Sequence, residues 1–423
     1  MWCLEMIISV TKKWMPWNII SFDLAVEDVT GGHPKLQKRE YLQNGYFPVV
    51  DQGQDAIAGY TNNDEMVYDG SLPVILFGDH TRIFKYVNFP FVIGADGIKV
   101  LQAKKYFNTK FLYFYFKSLH IPSRGYSRHF KFLKEIKIPL PPLSEQRRIV
   151  EILDQADALR RKQAEAAAKA DRILPALFIK MFGDPATNPM GWDVVKMQSL
   201  YAIPPNYGTM ISPKFNDGEW LDLRVTNIQN GQLNLDDCKY INLPIEDIER
   251  HQVANGDLLL ARAIGSASHI GKCIVAYPGK EKWAFDSHLM RVRFNQSLVY
   301  PEFVQNFLTS HGGRREFLKF TRQSAIQFNI NTKEFNSIVV PLPPLNLQKF
   351  FLNHLNLFKS SRNQQSQRSQ FFNQIFEILL QRAFSGELTA KWREAHMKEL
   401  LAEMEAQAKA ITDIDENEQL SLL

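Results

Sequence analysis

Basic side chains interleaved with rings are the residues best placed to do chemistry. From Lys104 to Lys137 the chain carries Lys104, Lys105, Lys110, Lys117, Arg124, Arg128, Lys131, Lys134 and Lys137, with His120, Tyr126 and His129 among them. Lysine and arginine neutralise phosphates while rings reach sugars or bases, so the pattern suits a polyanion. Covalent chemistry has far less to stand on. Gly265 to Cys273, GSASHIGKC, has the outline of a phosphate loop, yet five residues rather than four separate Gly265 from the Gly-Lys pair. Cys273 also stands where Ser or Thr would hold magnesium. Ile203 to Tyr207, IPPNY, holds the letters of an amino-methyltransferase motif in the wrong order, and there is no HExxH, no GxSxG and no GxGxxG after a strand. The ten histidines have no metal spacing, and the pairs Asp79/Arg82 and Glu281/Lys282 make no nuclease carboxylate cluster. The expectation is recognition without catalysis, with no metal or cofactor in this chain.

The elements that position these residues occur twice. Pro139 to Asp184 begins PLPPLSEQ, and sliding the chain by 202 residues lays it without a gap on Pro341 to Gly386, which begins PLPPLNLQ. Each copy opens with prolines that forbid helix and continues with a helix-capping type, Ser144 or Asn346. Apolar steps of three and four then mark a seam. In the first copy it runs Ile149, Leu153, Ala156, Leu159, Gln163, Ala166, Ala170, Ile173, Leu177 and Met181. In the second it runs Phe351, Leu355, Phe358, Ser361, Gln365, Arg368, Phe372, Ile375, Leu379 and Ala383. Small Ala156 and Ala170 stand where the other copy has large Phe358 and Phe372, so the seams suit one another as partners. An antiparallel pairing is expected, because a two-fold axis across the helices carries two domains to opposite ends. Leu174-Pro175 should kink or fray the first helix near its end.

At 423 residues, 45% hydrophobic and 22% charged, the chain has room for two or three soluble domains. Cys3, Cys238 and Cys273 lie far apart, which predicts a reducing compartment and no structural zinc. Glu5 inside the first apolar run and the lack of a basic start make a poor signal peptide, so a cytoplasmic protein is expected. The net charge of +5 says little, but its distribution repeats. Residues 17–81 hold three basic against ten acidic and 82–137 hold twelve against two; residues 188–257 hold five against ten and 258–338 hold eleven against five. A basic rear in both halves predicts a polyanion held at two places.

The resulting organisation is α/β in class (α+β), with two globular domains joined by two long helices that pair as an antiparallel coiled coil. The expected boundaries are a first domain over 1–142, a first helix over 143–187, a second domain over 188–344, a second helix over 345–386 and an acidic helical or disordered tail over 387–423. FPVVDQGQ, LPVILFGDHTRIF and FPFVIGADGIKVL read as strands of the first domain, and GDLLLARAIGSASHIGKCIVAY and AFDSHLMRVRF as strands of the second. FNTKFLYFYFKSL is a core helix or strand, and VYPEFVQNFLTSHGGRREFLKF is helical.

PLPPLSEQRRIVEILDQADALRRK followed by LFIKMFGDP, and PLPPLNLQ followed by LLQRAFSGELT, resemble the specificity subunit of type I restriction-modification systems. GDLLLARAIGSASHIGK and QSAIQFNIN are similar to that family's second target-recognition domain, and FPVVDQGQDAIAGYT with ILFGDHTR and GADGIKVL to its first. The resemblance implies that each domain reads one half of a bipartite double-stranded DNA site while the helices act as spacer. It implies two modification subunits, which carry S-adenosylmethionine and methylate adenine, and nuclease-translocase subunits in the same complex, with no catalysis in the specificity subunit itself. A modification-only complex or a stand-alone DNA-binding regulator would use the same features. The Phe- and Gln-rich second helix, and Asn346-Leu347 in place of Ser144-Glu145, depart from a strict repeat.

Readers of base edges are sought on loops, with Lys and Arg gripping phosphates around them. In the first domain these are Gln52, Gln54, Asp79, His80, Thr81 and Arg82, with Lys104, Lys105, Arg124, Arg128 and Lys131 as grips. In the second they are Tyr207, Gly208, Thr209, Arg262, Ser266, Ser268 and His269, with Arg314, Arg315, Lys319 and Arg322 as grips and Asn329 and Asn331 in either role.

Overall fold

The computed structural model describes residues 17–421 apart from 95–96, 123–124, 126–127, 215–216, 230, 267–268 and 324–326, and gives the backbone alone over 411–421. The chain divides into two units, Met1–Ala164 with Gln367–Leu423, and Glu165–Ser366.

In the first unit a four-stranded antiparallel sheet runs in the order Val26–Asp28, Ile98–Ala103, Val74–Gly78, Phe84–Val87. The second unit repeats that order with Tyr201–Tyr207, Leu289–Phe294, Asp257–Ala261, Cys273–Ala276. Each unit also has a strand that enters the domain and pairs antiparallel with the strand leading to PLPPL: Asn18–Ser21 with Lys137–Leu140, and Val194–Lys196 with Val339–Pro341. The aromatic run of the first domain is a helix, Thr109–Ser118, because Asn108 accepts the amides of Lys110 and Phe111 and starts it. Its counterpart, Pro301–Thr309, starts on a proline, whose missing N–H costs nothing at that position. The globular halves are therefore related strand by strand.

The long helices are Leu143–Ala170 continued by Ile173–Phe182, and Leu345–Phe384 without interruption. The first breaks at Asp171-Arg172, one turn before Pro175, whose ring would clash with the carbonyl four residues back. Both begin two residues earlier than a Ser144 or Asn346 cap requires. Ser144 lies inside the first turn with its hydroxyl unpartnered among the described residues, and Asn346 Oδ1 accepts only the neighbouring Leu347 amide, 2.9 Å. The starts are fixed instead by a buried glutamine one turn in. Gln146 Oε1 accepts the Asn108 amide at 2.8 Å and its Nε2 donates to the Pro141 carbonyl at 2.8 Å. Gln348 Oε1 accepts the Tyr300 amide at 3.0 Å and its Nε2 donates to the Pro343 carbonyl at 2.8 Å. Each thereby ties a PLPPL turn to the start of its own domain's buried helix.

Within each unit the two helices contribute opposite ends, so they run antiparallel. In the first unit Ile149 and Leu153 share a core with Phe376, Leu380, Ala383 and Phe384, and the Arg160 guanidinium lies 4.6 Å over the Phe376 ring. In the second, Phe178 and Phe182 stand 5.6 and 5.4 Å from Phe351, and Arg362 pairs with Asp171 at 2.9 Å. Ile149, Leu153, Phe351 and Leu355 are buried, and Ala156, Ala170, Leu177, Phe358, Phe372 and Leu379 are half-buried. In the middle of the expected seam alternate layers are displaced by one residue. Leu159, Ala166, Ile173, Ser361 and Arg368 face solvent, while Arg160, Ala167, Leu174, Arg362 and Ser369 turn inward. The long arginine stems cover apolar surface in those layers and keep their charge at the edge.

The acidic tail is helical over Ala390–Ala395 and Met397–Ser421, and its first part packs on the first unit. Leu400 is buried, Glu403 accepts the Ser144 amide at 3.2 Å, and Tyr106 donates its hydroxyl to the Ala410 carbonyl at 3.2 Å.

Candidate nucleic-acid interface

At one end of the first sheet the sequence-predicted readers meet. Thr81 Oγ1 donates to the Gln52 carbonyl at 2.7 Å and the His80 amide to Gln52 Oε1 at 3.4 Å, so the VDQGQD and GDHTR turns form one surface. Gln54 and Thr81 are exposed there and His80 is half-buried. Asp79 is different: its Oδ1 accepts the amides of His129 and Phe130, both at 2.7 Å, so it anchors the Phe130–Lys134 helix and is not turned outward. Arg82 adopts φ 63° and donates to the Ile121 carbonyl at 2.8 Å, which also makes it a strut.

Among the first domain's grips, Lys105, Arg128 and Lys131 are exposed. Lys104 borders an open cavity of about 350 Å³ with Asp23, Glu27 and Asp28, whose charge offsets its own. Arg124 lies outside the described residues. Lys117, half-buried over the Phe376 ring, has its pKa lowered by burial first and by neighbouring Arg160 second.

In the second domain Arg262 and Tyr207 form a stack, the guanidinium 4.0 Å over the ring, while the Tyr207 hydroxyl accepts the Thr332 amide at 3.0 Å. Arg262 Nε also donates to the Ser287 carbonyl at 2.8 Å, so it props the 286–288 loop. Gly208 is packed so tightly that a Cβ would lie 2.1 Å from the Phe285 carbonyl oxygen, and Thr209 is buried beside it. Neither presents a side chain outward. Asn331 caps the Thr332–Asn336 helix, accepting the Glu334 amide at 2.9 Å. Asn329 pairs with both Ala263 and Arg322 in a small three-stranded sheet. Ser266 and His269 lie in the loop before Cys273, which opens a strand and not the helix a phosphate loop needs; Ser268 is outside the described residues. Of the grips, Arg314 donates to the Ile270 carbonyl, Lys319 and Arg322 are exposed but pair with Glu316 and Glu334, and Arg315 is exposed.

Three residues that sequence reasoning did not single out stand at this end of the second domain. Arg224, Asp286 and His288 line a cleft of about 310 Å³ with Ala263, Ile264 and Gln327. Asp222, wholly buried behind them, has neither carboxylate oxygen partnered among the described residues. Burial, and then Asp286, push its pKa up to about 7. Burial also raises the pKa of Asp286, against the opposing pull of His288. No group of three metal-binding side chains occurs among the described residues, and no helix among them is long and apolar enough to cross a membrane.

A duplicated sheet-and-helix domain, each copy keyed by a glutamine into one end of a helix pair, defines a two-domain recognition scaffold. Residues 26–168 match the family model described as the type I restriction modification DNA specificity domain. The type I restriction enzyme EcoKI specificity subunit of Escherichia coli K12 is 26% identical over 277 residues, 61% of this chain and 59% of that protein. The StySPI specificity subunit of Salmonella potsdam is 22% identical across 91% of each chain. The crystal structure of the type I restriction-modification S subunit from M. genitalium shares the fold, with a TM-score of 0.52 at 14% identity over 87% of this chain and 96% of that one. The chain is thus similar to the specificity subunits of type I restriction-modification systems, and residues 26–168 carry the match to their DNA specificity domain.

Proposed function

We propose that each globular domain reads one half of a split double-stranded DNA site and that the helix pair fixes the gap between the halves. The observation that carries this reading is the repeated joint: Gln146 and Gln348 couple each sheet to its own copy of the PLPPL helix start. The exposed Gln54, Thr81, Lys105, Arg128 and Lys131 supply the first domain's surface. Two modification subunits dock on the duplicated helices and their flanks, bring S-adenosylmethionine and methylate adenine, and restriction subunits join the same assembly. This chain contributes recognition and makes or breaks no covalent bond. It works in the cytoplasm, where the target DNA is.

The test is the spacer. Four residues inserted into the second long helix lengthen it by about 6 Å, or about two base pairs at roughly 3.4 Å each. Mapping methylated adenines in cells carrying the inserted form should show both half-sites unchanged and the gap between them altered. An active complex whose gap is unaltered contradicts the ruler.

A further inference from the structure

The cleft in the second domain is built by strand ends that converge. Trp220–Leu223 and Trp283–Phe285 pair in parallel with Leu223 opposite Phe285, so Arg224 and Asp286 emerge side by side. The neighbouring strand Asp257–Ala261 delivers Arg262, whose amide donates to the His288 carbonyl at 2.9 Å and whose Nε holds Ser287. The loop carrying Asp286 and His288 is thus clamped from beneath and presents its side chains at the mouth. Asp286 accepts the His288 amide at 3.1 Å, and its other oxygen faces His288 Nδ1 at 3.3 Å. Arg224 donates to the Asp237 carbonyl at 2.6 Å and stands 3.7 Å from the exposed Asp237 carboxylate, and its Nε has no partner among the described residues.

The first domain has the same joint. There Phe47–Val50 and Val92–Gly94 pair in parallel, and the Asp79 amide donates to the Gly97 carbonyl at 2.7 Å, as Arg262 does to His288. Following both ladders places Gln52 where the second domain has Arg224, and Gly97 where it has His288. Gln52 is one of the residues that loop chemistry alone selects as a reader. Val50, buried and apolar, occupies the place of Asp222. A buried carboxylate without a partner is costly, and one standing where the twin packs a valine points to a demand other than packing. Asp222 sits close enough to Arg224 and Asp286 for each to act on its charge.

We infer that Arg224, Asp286 and His288 are the base-reading residues of the second domain. In a major groove the Asp286 carboxylate accepts from an exocyclic amino group, on cytosine or adenine, while Arg224 and His288 donate to the acceptors of an adjacent base. Arg262, Tyr207 and Asn331 hold this surface in place without reading. The inference rests on the proposed DNA-recognition function and assigns residues within it.

Selection from a randomised duplex library by the full chain, unsubstituted and as Arg224→Gln, Asp286→Asn and His288→Ala, tests it. The unsubstituted chain should select a two-part motif. Each substitution should cut base discrimination about ten- to a hundredfold at positions in one half, with the other half and low-salt affinity for unrelated duplex unchanged. A two-part motif that survives all three substitutions in both halves overturns the assignment. No selected motif from the unsubstituted chain rejects the wider reading instead. His288 is 53% exposed, so its replacement leaves the fold intact and decides the matter if either of the other two fails to fold.

Discussion

Arg393, in the tail, closes an ion pair of 2.7 Å with Glu145, a carboxylate buried at the start of the first long helix. The same Glu145 oxygen accepts the Thr389 hydroxyl at 2.6 Å and the other accepts the Trp17 indole N–H at 2.8 Å. Arg393 also lies 5.1 Å from the Trp17 ring centroid. The second copy has Leu347 at the matching place and no such knot. Arg393→Ala strands a buried charge and should lower stability by about 3 to 5 kcal/mol in denaturant unfolding. Glu145→Leu together with Arg393→Met should recover most of that loss, and a double variant as weak as the single one would mean the knot is not the cause.

The second domain should be more stable at mildly acidic pH. Asp222 has its pKa raised to about 7 from 3.8. A raised carboxyl pKa means the folded state binds the proton more tightly than the unfolded chain, so stability is greatest below the unfolded value. It falls as pH climbs towards the folded value and is level above it. Three units correspond to about 4 kcal/mol. Asp286 is shifted in the same direction and adds to the slope. Asp222→Asn should flatten the stability profile between pH 4 and pH 7, followed by hydrogen exchange of the Asp257–Ala261 strand.

Removing either tethering glutamine should loosen one domain and spare the other. Gln146→Ala leaves the half-buried Asn108 amide unpaired and Gln348→Ala the half-buried Tyr300 amide, each costing about 1 kcal/mol. Hydrogen exchange should locate the first loss in the Thr109–Ser118 helix and the second in Pro301–Thr309. Equal loosening of both by one substitution would contradict separate joints.

Salt dependence separates grips from struts. Lys105→Ala, Arg128→Ala and Lys131→Ala should each reduce the slope of log affinity against log salt by about 1. Arg314→Ala and Arg322→Ala should leave that slope alone, since half-buried Arg314 is turned in to the Ile270 carbonyl and the charge of Arg322 is paired with Glu334. Titration of duplex binding at several salt concentrations reads both classes.

The paired helices were legible because a proline turn followed by a long apolar period admits few structures, and the same letters return after a fixed interval. The caps were not, because Gln146 and Gln348 reach partners far away in sequence, and a cap judged from its immediate neighbours falls on Ser144 or Asn346. The seam failed in alternate layers for a related reason: Arg160 and Arg362 are polar letters whose stems lie inward. In the candidate site, linear reading picked out Gln52, His80 and Thr81, which the fold brings together because they sit in turns. It passed over Arg224, Asp286 and His288 because parallel strand pairing joins segments that sit far apart along the chain. It also could not see that Arg314, Lys319 and Arg322 are already occupied within the fold.

Trp192 follows Trp17 by 175 residues, whereas Pro341 follows Pro139 by 202. All of the added length in the second half lies between the entering strand and the exit strand, in the turns that cap the sheet and the segments beside it. None of it lies in the rods or at the glutamine joints. Such a chassis lets each domain acquire insertions and new contacts without disturbing the mount that carries it, so the two copies can diversify independently on an unchanged frame.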